Sequence, residues 1–171
     1  MILEITSCVF GFLLTPLLNS IGILAGKEGV IYYGEVHQSL MNKIIHFVFM
    51  IPTTFATIMI IPCVFDMSGK DYNKVLKSLY IIYITHYMTI DVISGINVSI
   101  MYYFPFILAC NTYVQQDRHF CLNIGINLLL VSLFIQEIFG HFLFEQRQSR
   151  FEGIFNAILY APFYSVYGLL I

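Results

Sequence analysis

Glu137, His141 and Glu145 recur at i, i+4 and i+8 within the apolar stretch Glu137-Ile138-Phe139-Gly140-His141-Phe142-Leu143-Phe144-Glu145-Gln146-Arg147. On an α-helix that spacing puts three ionisable groups on one face. A carboxylate or imidazole in such surroundings is costly unless it is paired, ligates an ion or borders water. Gly140 removes a side chain beside the histidine and leaves room for another backbone or a ligand. His37 and His46 are nine residues apart, which on one continuous helix would set them about 180° apart. They converge only if the chain bends between them, and the polar Gln38-Ser39 permits a bend. Asn42 and His46, at i and i+4, share a helical face. Histidines with a carboxylate and open positions form the ligand pattern of non-haem Fe(II) oxygenases, and tetrahedral histidine-rich zinc sites are the competing reading. Histidines that are hydrogen-bonded at a membrane interface, with no ion, are the plainer alternative.

The elements that must position these groups are membrane helices. The chain of 171 residues is 58% hydrophobic and 11% charged, with mean hydropathy +0.81. Soluble domains run at roughly 45–50% apolar and about 25% charged. The composition defines an all-α, polytopic helical membrane protein of about five to six transmembrane helices. A single domain covers residues 1–171, with no internal repeat and no β-barrel alternation. The formal net charge of −2 excludes a basic field for nucleic acid. Cys8, Cys63, Cys110 and Cys121 have no metal-binding spacing and read as small buried hydrophobes. No G-x-S-x-G, H-E-x-x-H, Walker or dinucleotide fingerprint is present.

In order, Ile5 to Ala25 is an apolar run without a basic leader, read as a retained membrane or interfacial helix. Lys27 to Lys43 is a polar connector, and Ile44 to Phe65 a second span containing Pro52 and Pro62. Asp66 to Lys77 reads as the clearest loop. Leu76 to Val92 is a third span, Ser94-Gly95 and Asn97 mark a tight turn, and Val98 to Val114 is a fourth span. Phe120 to Phe144 is the fifth, and Glu145 to Gly153 connects it to the last, Ile154 to Ile171. Six spans would put His37, His46 and His141 at one membrane face and His119 at the other, with His86 near mid-span. Lysines and arginines divide evenly between the faces, so the positive-inside rule gives no orientation.

The pattern Tyr33-Gly34, His37, Asn42, His46 and Pro52, followed by Gly140-His141, Phe144-Glu145, Arg147, Asn156 and Ala161-Pro162-Phe163, resembles the 2-hydroxy fatty acid dioxygenase family of endoplasmic-reticulum membrane proteins. The similarity runs from about Ile31 to Ser165, leaving residues 1–26 as an extra hydrophobic segment. The resemblance implies an Fe(II)-dependent dioxygenase of fatty acid α-oxidation, acting in phytosphingosine breakdown. Such an enzyme uses O2 to convert a 2-hydroxy long-chain fatty acid into the acid one carbon shorter. It further implies His37, His46 and His141 as the metal-site residues; this chain's own Glu137 or Glu145, on the same stretch as His141, would complete the set for Fe(II). Glu145, Asn42 and Arg147 fall on matching polar positions, with Arg147 suited to the substrate carboxylate. The chain departs from the family pattern at Ser39-Leu40, where Asn-Pro is usual, and at Gln148-Ser149-Arg150, where a proline is usual. It also departs at Glu137, where a glutamine four residues before the last histidine is typical. A different membrane metalloenzyme, such as a zinc hydrolase, and a non-catalytic scaffold or transporter are the alternatives.

Overall fold

A computed structural model of the chain describes residues 1–67, 69–147 and 154–171. The described residues contain helices and no strand. The helices are α1 (Ile2–Ser20), α2 (Lys27–Gly34), α3 (Leu40–Val64), α4 (Gly69–Ile90), α5 (Val92–Gln115), α6 (Arg118–Ile135) and α7 (Ile154–Leu170). A π-helical segment, Gln136–Glu145, continues α6. Among the described residues, four helical stretches, Ile2–Ser20, Leu40–Val64, Val92–Gln115 and Arg118–Glu145, are long and apolar enough to cross a membrane. The larger expected number counted α4, which carries Lys74, Lys77 and His86, and α7, which is 17 residues long.

Helix α3 is the hub, packing against α5, α6, the π segment and α7. Side chains from α2, α3, α4, α5 and α7, among them Tyr33, Met50, Tyr87, Tyr102 and Phe163, form one core cluster. Met59, Cys63, Tyr72, Ala109 and Cys121 anchor a second, toward the opposite end of α3. Five buried tyrosines, Tyr72, Tyr87, Tyr102, Tyr160 and Tyr164, have hydrogen-bonded hydroxyls. Tyr72 donates to the Ile58 carbonyl (3.2 Å) and Tyr87 to that of Leu159 (2.7 Å). This is what burial of a phenol requires. Cys63, Cys110 and Cys121 are free and buried.

Three local expectations are corrected. The charged run from Asp66 to Lys77 is mostly helix, because α4 begins at Gly69. Asp71, Lys74 and Lys77 recur at i, i+3 and i+6 on its exposed side, while Tyr72 and Leu76 at i and i+4 are buried. Charge density suggested a loop where the spacing is that of an amphipathic helix. Lys77 pairs with Glu4 of α1 at 2.5 Å, and α1 lies along α4. The connector between Lys27 and Lys43 contains the short helix α2. The tight turn expected around Ser94 to Asn97 lies earlier, at Asp91. Its backbone is extended (φ −151°, ψ 121°), and its carboxylate accepts the Ser94 N–H at 2.7 Å. Asp91 is thus the N-cap of α5, and Ser94-Gly95 belongs to the first turn. Gly95 is there for clearance: a Cβ would lie 2.8 Å from the Met88 nitrogen of α4.

Replacing Asp91 by alanine should therefore cost about 1 kcal/mol, whereas asparagine should cost only a few tenths. Reversible unfolding in detergent measures both.

Candidate metal centre

The first histidine is placed by a helix end. Helix α2 stops at Gly34, the chain turns through residues 35–39, and α3 starts at Leu40 after an extended Ser39 (φ −66°, ψ 130°). This is the bend that brings His37 back over His46, one and a half turns into α3. His37 Nδ1 donates to the Tyr33 carbonyl at 2.8 Å, and its ring stacks on Tyr33 with centroids 4.2 Å apart. Tyr164 of α7 donates to the His37 carbonyl at 3.3 Å. With Nδ1 committed to a carbonyl, Nε2 carries the free lone pair. A main-chain acceptor of this kind commonly orients a metal-bound histidine.

The third histidine is placed by a change of helical winding. Residues Gln136–Glu145 form i→i+5 bonds, a wider turn than the α-helix. The segment closes at Gln146, which is left-handed (φ 54°), and at the Arg147 N–H, which bonds the His141 carbonyl at 3.2 Å. The winding changes which residues face inward. Gln136, Gly140 and His141 are buried, Glu145 is half-buried, and Glu137 is exposed. Of the three groups expected to share a face, His141 and Glu145 turn inward, and Glu137 stands at the exposed edge, lining the same cavity as His141. Gln136, five residues before His141, occupies the inward position, donating to Thr53 Oγ1 (2.9 Å) and to the Ser132 carbonyl (3.1 Å). The apparent replacement of glutamine by Glu137 is thus a shift of register by one residue. Glu137 lines the adjoining cavity, outside the three-histidine group.

His37, His46 and His141 meet edge to face. Ring centroids are 4.6 Å apart for His37 and His46, 4.7 Å for His37 and His141, and 5.1 Å for His46 and His141. One nitrogen from each ring lies within 4.8 Å of the others, and all three residues are buried. His37 Nε2, both nitrogens of His46 and His141 Nδ1 are buried without a hydrogen-bond partner. Burial pushes the His37 imidazole down to about 4, so it is a neutral donor at pH 7. Unsatisfied buried nitrogens are expensive. Three that converge as neutral donors fit a transition-metal ion such as iron or zinc.

Glu145 joins the two halves of this centre. Its carboxylate accepts the N–H groups of Gln38 (2.7 Å) and Ser39 (2.9 Å) at the start of α3, and the Asn42 side-chain amide (3.1 Å). A negative group on the free N–H groups of a helix start is favourable in itself. Here the carboxylate comes from a segment over a hundred residues away. Asn42 is fully buried, and its Oδ1 faces Gly140 so closely that a Cβ at Gly140 would collide with it. Arg147 is exposed. His86 is buried elsewhere, with Nδ1 3.4 Å from Thr15 Oγ1, and His119 is exposed at the start of α6.

The centre opens on a cavity of about 630 Å³ whose lining is mostly apolar. His46, Met50, Thr53, Thr57 and Ile61 line it along α3, a run of about 22 Å at 1.5 Å per residue. The stacking partner Tyr33, the inward Gln136 and the cavity-lining Asn156 were not identified as functional candidates from spacing alone. Tyr33 and His37 are an i, i+4 pair that could have signalled contact. Gln136 was hidden by the π register.

Helical spans around a buried three-histidine centre beside an apolar cavity define a membrane protein with a group that could hold a metal ion. The chain belongs to the family described as 2-hydroxy-palmitic acid dioxygenase Mpo1-like, whose model matches residues 25–170. Helix α1 lies outside the matched region. No curated protein and no solved structure matches the chain.

Two substitutions probe the geometry. Glu145→Ala should weaken metal binding 10- to 100-fold, as loss of an orienting group typically does, and metal titration of the purified protein measures this. Gly140→Ala should cost about 1–3 kcal/mol through overpacking against Asn42, seen as a lower unfolding midpoint.

Proposed function

We propose that the protein is an Fe(II)-dependent dioxygenase that shortens a 2-hydroxy long-chain fatty acid by one carbon, in fatty acid α-oxidation during phytosphingosine breakdown. The observation that carries this reading is the convergence of three buried imidazoles, each with an unpartnered nitrogen, at a polar corner of an acyl-sized apolar cavity. Family membership supports the substrate class. The volume lies in the roughly 300–1,000 Å³ range of small-molecule sites.

His37, His46 and His141 are the proposed iron ligands, and Glu137 is the proposed carboxylate that completes the set. Both Glu145 oxygens already accept N–H groups, so Glu145 acts as the clasp that holds the His37 loop against the His141 segment. Asn42 supports that clasp. Iron bound here would supply Lewis-acid and redox chemistry toward O2. The acyl chain would lie along α3 among apolar and aromatic side chains, which also exclude water. Its carboxylate and 2-hydroxyl would face the histidines. Arg147, tied through its backbone to the His141 carbonyl, is the proposed partner of the substrate carboxylate. The proposed compartment is the endoplasmic-reticulum membrane, on the family resemblance.

A zinc hydrolase is the second reading, favoured by one feature: the converging groups are three histidines with no carboxylate among them, which is also a catalytic zinc set. Metal content of detergent-purified wild type and His141→Ala, with oxygen uptake on 2-hydroxypalmitate, separates the two. The dioxygenase reading predicts about one iron per chain and oxygen uptake in the wild type, with both lost in the variant. Zinc without oxygen uptake would favour the hydrolase. A metal-free wild type without turnover would contradict both enzymatic readings.

A further inference from the structure

Asn156 stands in the first turn of α7, 8% exposed, and its side-chain oxygen is buried without a hydrogen-bond partner. It lines the same cavity as His37, His46 and His141. The other unpartnered buried polar atoms among the described residues belong to the three histidines, to Asn42 and to His86. Neither Asn42 nor His86 lines the cavity. Asn156 therefore presents a buried amide acceptor, otherwise unused, to whatever the cavity holds.

An amide oxygen accepts hydrogen bonds and cannot donate them. A fatty acid ionised at neutral pH offers only a carboxylate, itself an acceptor, and methylenes, so no part of it can satisfy this oxygen. A hydroxyl group can. We propose that Asn156 recognises the hydroxyl group of the bound acid through an O–H···Oδ1 hydrogen bond, and so selects hydroxylated over plain long-chain acids. This rests on the reading of the cavity as an acyl site with its polar end at the histidines. Sites built to pair a ligand hydroxyl reject the analogue without it, because their own polar group is then left buried and unpaired.

The test uses the metal-loaded full chain in detergent, with a fluorescent fatty acid displaced by palmitate, 2-hydroxypalmitate or 2-fluoropalmitate. Wild type should release the probe at about tenfold lower 2-hydroxypalmitate than palmitate. Asn156→Leu, similar in volume, should abolish that advantage while leaving palmitate displacement and metal content unchanged. In wild type, 2-fluoropalmitate, which has no proton to donate, should behave like palmitate, and the preference for 2-hydroxypalmitate should persist after the metal is chelated away. A preference lost with the metal assigns it to ligation by the hydroxyl and overturns the proposal, even if the variant does not fold. A preference retained in Asn156→Leu overturns the proposal, as does 2-fluoropalmitate matching the hydroxy acid. Absence of any preference in wild type also overturns it, leaving the dioxygenase reading to be judged by iron content and oxygen uptake.

Discussion

Three buried imidazoles packed edge to face are an unstable arrangement by themselves. Four of their six ring nitrogens, His37 Nε2, both of His46 and His141 Nδ1, are buried with no protein donor or acceptor. The rest of the fold holds that arrangement in place. Stacking on Tyr33 and the Tyr33 carbonyl fix the ring of His37, the Tyr164 hydroxyl holds its backbone, and the π winding carries His141 inward. The Glu145 carboxylate then fastens the first histidine segment to the last. Each device limits the freedom of a donor atom, which a metal site requires and a merely structural core would not.

The surrounding helices explain why this centre borders a cavity. Clusters at the two ends of α3 bring the helices together there, and the threonines and aliphatic side chains between them leave the intervening space unfilled. One end of that space is chemically polar and the remainder apolar. A fatty acid has the same division. Helix α1 contributes little to this region: it packs along α4 through the Glu4–Lys77 pair and the close approach of Gly11 to Thr85.

Much of the centre was legible in the sequence because residue type and local spacing carried it. His37 and His46 needed a bend, and Gln38-Ser39 announced one. His141 was conspicuous as a polar group among phenylalanines. The choice of inward neighbour was not legible, because a period of 3.6 was assumed and the chain winds with i→i+5 bonds, which exchanges Glu137 for Gln136. The role of Glu145 was equally hidden, since its hydrogen bonds reach Gln38 and Ser39, which lie on a distant part of the sequence. Along α4 the charges of Asp71, Lys74 and Lys77 outweighed their helical spacing. At the α4–α5 corner Ser94-Gly95 drew attention from Asp91, whose capping role depends on one side-chain hydrogen bond. Helix existence followed from local composition, whereas facing and register followed from tertiary contacts.

The claim on which the account turns is that these three histidines share one metal ion. X-ray absorption at the metal edge of the purified protein tests it most directly. The account predicts a first shell of nitrogen and oxygen only, with outer-shell scattering from about three imidazoles that falls to about two in a His46→Ala protein still holding metal. Sulfur in the first shell, or imidazole scattering unchanged by that substitution, would contradict it.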